Sequence, residues 1–189
     1  MRAIQLAWLL TGLLLFAPPS RGAEVDGIAF PDTKMVNGRT LWLNGLGLRT
    51  VSFLHVHVYV ASLYLEHPNH DPDAIMRSPE TKILAFHFQH DVSADQARDA
   101  WRKGLANNCA APCQLDPADV DRFIAAVPEM HDGDSFELRF AAHTAWITAN
   151  GRPLGQIDQA PLADAVLAAF LGPKPGSPEL KQALLKRRL

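Results

Sequence analysis

The chain has 189 residues, 48% of them hydrophobic and 20% charged, with a formal charge of −2. That length and apolar share fit one globular domain with a sizeable core and exclude a disordered chain. The mildly acidic balance argues against nucleic acid as the partner.

Residues 1–22 read as a secretory signal peptide. Arg2 supplies the positive start, Ile4 to Phe16 form an apolar run, Pro18 and Pro19 break it, and small residues follow. The run is shorter than the roughly 20 residues a membrane-spanning helix needs. A cut after Gly22 is tidier than one after Ala23, which would put Arg21 at a small-residue position. The mature chain is then 23–189, periplasmic or secreted, with no stable membrane span; the alternative is an uncleaved anchor. Losing 1–22 removes Arg2 and Arg21 and no acid, so the formal charge moves from −2 to −4. Only the stretch from Lys181 onward is basic, which suits a last helical turn.

Asn37-Gly38 predicts a tight hairpin turn between short strands. Residues 43–65 then read as one long apolar strand. Gly45 and Gly47 flank Leu46 and point to a bulge or a close backbone approach. Alternation along this strand puts His55, His57 and Tyr59 on one face, and Leu54, Val56, Val58 and Val60 on the other. His55 and His57 resemble a metal half-site that His87 would join. No acid is fixed beside them, so a half-solvated polar face is preferred and no metal is expected.

Asp71 and Pro72 open a short helix over 70–77. Residues 82–90 alternate as a strand. Ser93 and Gln96 form a capping-box pattern, and the helix they begin runs through Trp101 toward Asn108. Cys109 and Cys113 follow. A close pair in an exported chain favours a structural disulfide over a metal site, which would need more ligands, or a redox motif. Residues 115–120 start another helix, with Phe123, Ile124 and Val127 on its apolar side. Residues 135–141 and 144–149 read as strands, and Asn150-Gly151 turns the chain into a third strand over 152–157. A helix over 160–171 is stopped by Gly172 and Pro173, and Ser177 caps the last helix. The pattern is an α+β domain, an antiparallel sheet with helices packed on one face.

Arg49 is the notable polar residue of the long strand. A guanidinium is always charged and offers a planar fork of donors, so beside a cleft it would clamp a carboxylate or an enolate-like oxygen. The plainer readings are an exposed strand residue, or an arginine paired with an acid such as Asp164. No nucleophile elbow, phosphate loop or dinucleotide fingerprint is present.

Residues 44–49 (NGLGLR), 59–65 (YVASLYL) and 90–102 (HDVSADQARDAWR) resemble the chalcone isomerase-like family, in its exported bacterial branch. The tail, 162–172 followed by 177–181, is similar to the end of the plant enzymes. The resemblance implies an open-faced β-sandwich. It also implies an arginine, here Arg49, that steadies negative charge on a chalcone in the enzymes, while other relatives bind fatty acids and some bind haem. The family's remaining site positions fall on Tyr59, Trp101, Asn108 and Asp164. Trp101 lacks the phenol of the enzymes, and Asp164 would repel an enolate unless paired with Arg49. The resemblance therefore implies a non-catalytic protein that binds an apolar ligand with an acidic head. The ligand is a fatty acid or haem, held by Arg49, with Tyr59, Trp101, Asn108 and Asp164 lining the cleft. The alternatives are an isomerase (intramolecular lyase) using Arg49 as electrostatic stabiliser, and a partner-binding protein of the cell envelope.

Overall fold

The structure, a computed structural model, describes residues 22–51, 54–109 and 113–186. The signal-peptide reading falls outside these residues except for Gly22. A short hairpin opens the described chain, β1 (Ala23–Val25) and β2 (Ile28–Phe30). Seven strands then form one antiparallel sheet in sequence order. They are β3 (Thr33–Val36), β4 (Arg39–Val51), β5 (Val56–Leu65), β6 (Lys82–Phe88), β7 (Ser135–Ala141), β8 (Thr144–Ala149) and β9 (Arg152–Ile157). The helices are α1 (Pro72–Arg77), α2 (Ala94–Asn108), α3 (Pro117–Ala125), α4 (Ala160–Leu171) and α5 (Pro178–Leu184). This is the α+β fold expected, a large antiparallel sheet with helices on one face.

Local signals explain most of these boundaries. Asp71, Ser93, Asp116 and Ser177 each accept a hydrogen bond from a first-turn backbone N–H, which would otherwise lack a partner. Ser93 and Gln96 cap each other reciprocally. Cys109 and Cys113 are joined in a disulfide across a Cα separation of 5.3 Å.

The stretch 43–65 is not one strand. It is β4 and β5, folded back antiparallel so that Arg49 pairs with Tyr59. An unbroken strand of that length would run about 75 Å at ~3.3 Å per residue. A domain of this size has a radius of gyration of only about 15 Å. The reversal passes through Leu54 and His55, and His55 takes φ +52°, a region where glycine or asparagine is the usual signal.

The faces also differ from simple alternation. The register between β4 and β5 skips Val58, pairing Arg49 with Tyr59 but Thr50 with His57. This irregularity sends Tyr59 and His57 to opposite faces. Tyr59 packs with the helices, whereas His57 Nδ1 lies 2.7 Å from Asp26 Oδ2 at the tip of the β1–β2 hairpin. His55 sits in the turn. The shared face expected for the three residues is thus overturned by cross-strand register, which no single strand encodes.

Two cores result. On the helix face, Leu63, Leu84, Leu138 and Ile147 pack against Leu105, Ile124, Leu162 and Val166. On the other face, Leu41, Leu46, Val60, Tyr64 and Ile83 pack against Phe30 of the hairpin. The sheet curls around that second core. Lys34 on β3 pairs with Glu137 on β7, although three strands lie between them.

Candidate functional site

Arg49 owes its position to an irregularity six residues before it. The β4–β5 register shifts between Leu43 and Gly45, so Gly45, Gly47 and Arg49 follow one another on the helix face. Asn44 is buried at the shift. Its side-chain amide donates to Leu184 O (3.0 Å), and its carbonyl accepts from Asn69 N (2.8 Å). The two glycines leave room for α5, which lies directly on the strand: a Cβ at Gly47 would meet Ala183 Cβ at 2.5 Å. Arg49 comes next along the strand, beyond the glycine floor, and is half-buried.

Among the described residues the Arg49 guanidinium has no hydrogen bond and no ion pair within 4.0 Å. Its charge is felt nearby all the same. Glu179, in the first turn of α5, has its carboxyl held below the usual carboxylate range. Hydrogen bonds from its own backbone N–H and from the Ser177 hydroxyl come first, and the field of Arg49 adds to them. Across the strand pair, burial pushes the Tyr59 phenol up to about 12, and Arg49 pulls the other way.

That shift carries a pH prediction. The folded state keeps the Tyr59 proton above the ordinary value near 10, so it favours the neutral phenol. This part of the stability is complete below pH 10 and is lost as pH rises from 10 through about 12. Tyr64, the other tyrosine, is shifted upward as well, chiefly by burial. An alkaline titration followed by tyrosinate absorbance is expected to show no tyrosine ionising near pH 10 in the folded protein. A tyrosine that titrates there with the fold intact would contradict the burial of both rings.

From Tyr59 an aromatic layer runs between sheet and helices. Its ring lies 5.3 Å from Phe86 and 5.4 Å from Phe88, and Phe86 lies 5.9 Å from Phe136 and 5.2 Å from Phe170. Trp101, from α2, packs on Phe170 of α4 (5.7 Å) and Phe123 of α3 (5.1 Å), both edge-on. Beyond Phe123 and Phe136 the layer opens into a cavity of about 180 Å³, also lined by Ile147, Leu154 and Leu162. Four strand spacings separate β4 from β8, so Arg49 and this cavity stand roughly 19 Å apart across the sheet.

Two of the expected site residues do other work. Asn108, ending α2, donates to Gly104 O (2.9 Å) and Lys174 O (2.8 Å) and accepts from Lys174 N (3.1 Å). It ties α2 to the turn after α4. Asp164 pairs with His143 at 3.1 Å, in the turn between β7 and β8. That turn is at the Lys82 end of β6, while Tyr59 and Arg49 are at the Phe88 end, six residues or about 20 Å away. Asp164 is therefore not the counter-ion of Arg49. The structure brings Arg49, Tyr59 and Trp101 to one layer and leaves Asn108 and Asp164 outside it. Among the described residues, no three His, Cys, Asp or Glu side chains gather to hold a metal ion.

The sequence points to Phe123, on the apolar side of α3, but not to Phe86, Phe88, Phe136 or Phe170. Phe86 and Phe88 follow the period of two that marks one strand face, but their common face with Tyr59 emerges only from pairing. Chemically, the arrangement offers a cation without a partner among the described residues, at the rim of an apolar, aromatic interior.

The family described as chalcone isomerase-like matches residues 22–186. Among solved structures, the chain is similar to a fatty-acid binding protein of Arabidopsis thaliana, with a TM-score of 0.69 and 15% identity. The match covers 84% of this chain and 92% of the other. No curated protein sequence matches.

Proposed function

Because this chain belongs to the chalcone isomerase-like family, we propose that it is a non-catalytic binding protein for a long-chain fatty acid. Arg49 holds the carboxylate and the acyl chain lies along the aromatic layer. The observation that carries this reading is the half-buried Arg49 guanidinium, without a partner among the described residues, at the rim of that layer. A buried or half-buried cation is ordinarily paired, so an unpaired one invites an anion. The fatty-acid binding relative in Arabidopsis lends the ligand class.

A flexible chain suits the layer better than haem. The 180 Å³ cavity is below the roughly 300–1,000 Å³ of pockets for drug-sized ligands. The rings must therefore part on binding. An acyl chain threads between them one methylene at a time, whereas a rigid macrocycle needs the whole space at once. The disulfide suits an oxidising compartment, and we assign the protein to the periplasm or beyond.

A bromine-labelled fatty acid tests the path of the chain. Saturable quenching of tryptophan emission is expected in the wild type, and most of it should vanish in Trp101→Phe. Binding without quenching, or quenching unchanged in Trp101→Phe, would place the chain elsewhere.

A further inference from the structure

The second face of the sheet carries a groove that the Arg49 site does not use. We propose that it is a separate binding site, in the lumen of the curled sheet, for a compact uncharged molecule with an apolar body and a hydrogen-bonding head. This proposal does not rest on the fatty-acid reading.

The groove has a volume of about 440 Å³, within the usual range for small-molecule sites. Its walls follow from register. Ala85, Glu137 and Thr148 are directly paired across β6, β7 and β8, and His87 pairs with Ser135 in the adjacent row. Paired residues share a face, so all five look into the curl, away from the helices. Ile28 and Phe30 of the β1–β2 hairpin form the opposite wall. That hairpin is not hydrogen-bonded into the main sheet. It is strapped across the lumen by side-chain packing and by Asp26, which meets His57 and accepts from Gln89 Nε2 at 3.0 Å. The concave face of a curled sheet with a filled floor is where barrel-like folds hold one small ligand.

The side chains define the ligand chemistry. Ile28, Phe30 and Ala85 supply apolar surface. Among the described residues, the His87 imidazole and the Thr148 hydroxyl have no hydrogen-bond partner. The Ser135 hydroxyl has only a long contact of 3.5 Å to Asn150. Hydroxyls and an imidazole can each donate and accept a hydrogen bond. The full charges at the site, Lys34 and Glu137, are spent on each other. A carboxylate entering on Lys34 would strand Glu137, and an ammonium entering on Glu137 would strand Lys34. The lumen thus discriminates against ions, the reverse of the Arg49 site.

The probe is prodan, an uncharged naphthyl ketone whose emission shifts to the blue in apolar surroundings, titrated into the full chain. A saturable one-to-one blue shift is expected. Thr148→Trp, which fills the groove, should weaken it at least tenfold, and Arg49→Ala should leave it unchanged. A sulfonated naphthalene anion should not compete. Ser135→Trp is the second filling variant, because Ser135 is exposed and lines the groove on the face it shares with His87. It decides the matter if Thr148→Trp does not fold, as judged by thermal unfolding. No saturable shift in the wild type, or an undiminished shift in a folded filling variant, would overturn the proposal. The latter result would place the dye in the aromatic layer instead.

Discussion

Arg49→Ala is expected to weaken binding of a long-chain fatty acid by about 10- to 150-fold and to leave the matching fatty alcohol almost unaffected. The magnitude follows from the chemistry of the contact. A hydrogen bond to a charged group contributes about 1.5–3 kcal/mol, and 1.4 kcal/mol is a factor of ten in affinity. The alcohol lacks the charge that Arg49 reads, so its affinity rests on the aromatic layer, which the substitution does not touch. Arg49→Lys should fall between the two, because an ammonium keeps the charge but loses the bidentate fork. Calorimetric titration of acid and alcohol into the three proteins measures this. Equal losses for acid and alcohol would mean that Arg49→Ala damages the layer and does not anchor the head. Glu179 sets a limit on the effect. Its carboxylate already lies in the field of Arg49, so the fatty acid must share the cation with it. Glu179→Gln is accordingly expected to tighten acid binding.

The largest loss of stability is expected at Gly45. A Cβ there would lie 2.2 Å from Leu184 O and 2.4 Å from Ala183 O. Both atoms are backbone, so no side chain can rotate away. The C-terminal end of α5 must lift, and it would lose the hydrogen bond from buried Asn44 to Leu184 O. Overpacking of this kind costs about 1–3 kcal/mol, and the stranded Asn44 amide adds about 1–3 kcal/mol. Gly45→Ala should therefore lower the midpoint of urea unfolding markedly. Gly104→Ala is the milder comparison, because its Cβ would meet only the Ala169 methyl, at 3.2 Å. A midpoint for Gly45→Ala no lower than that for Gly104→Ala would show that α5 does not press on β4 as described.

The elements whose ends are written locally could be read from the chain alone. Asp71-Pro72, the Ser93–Gln96 box, Asn150-Gly151 and Gly172-Pro173 each satisfy or terminate a backbone by themselves, and the structure uses each of them. The Leu54–His55 turn was hidden because a histidine, not glycine or asparagine, takes the positive φ. The β1–β2 hairpin has a local signal in Asp26-Gly27, both at positive φ.

The site was less legible than the fold, because its members are chosen by register and packing. Gly45 and Gly47 announced a close approach, and α5 supplies it. The partners of Asn108 and Asp164 come from residues 66 and 21 positions away, through loops whose course no local pattern encodes. Asp164, an acid that could have paired with Arg49, instead pairs with His143 at the other end of the sheet. That takes one candidate counter-ion away from Arg49.

The most direct test of Arg49 as an anion anchor is native mass spectrometry of the protein as purified, beside Arg49→Ala. The wild type is expected to carry a bound species with the mass of a long-chain fatty acid, and the variant to be empty while retaining the same unfolding midpoint. A wild type that is empty and stays empty after incubation with fatty acid would contradict the account, as would a fatty acid held equally by Arg49→Ala.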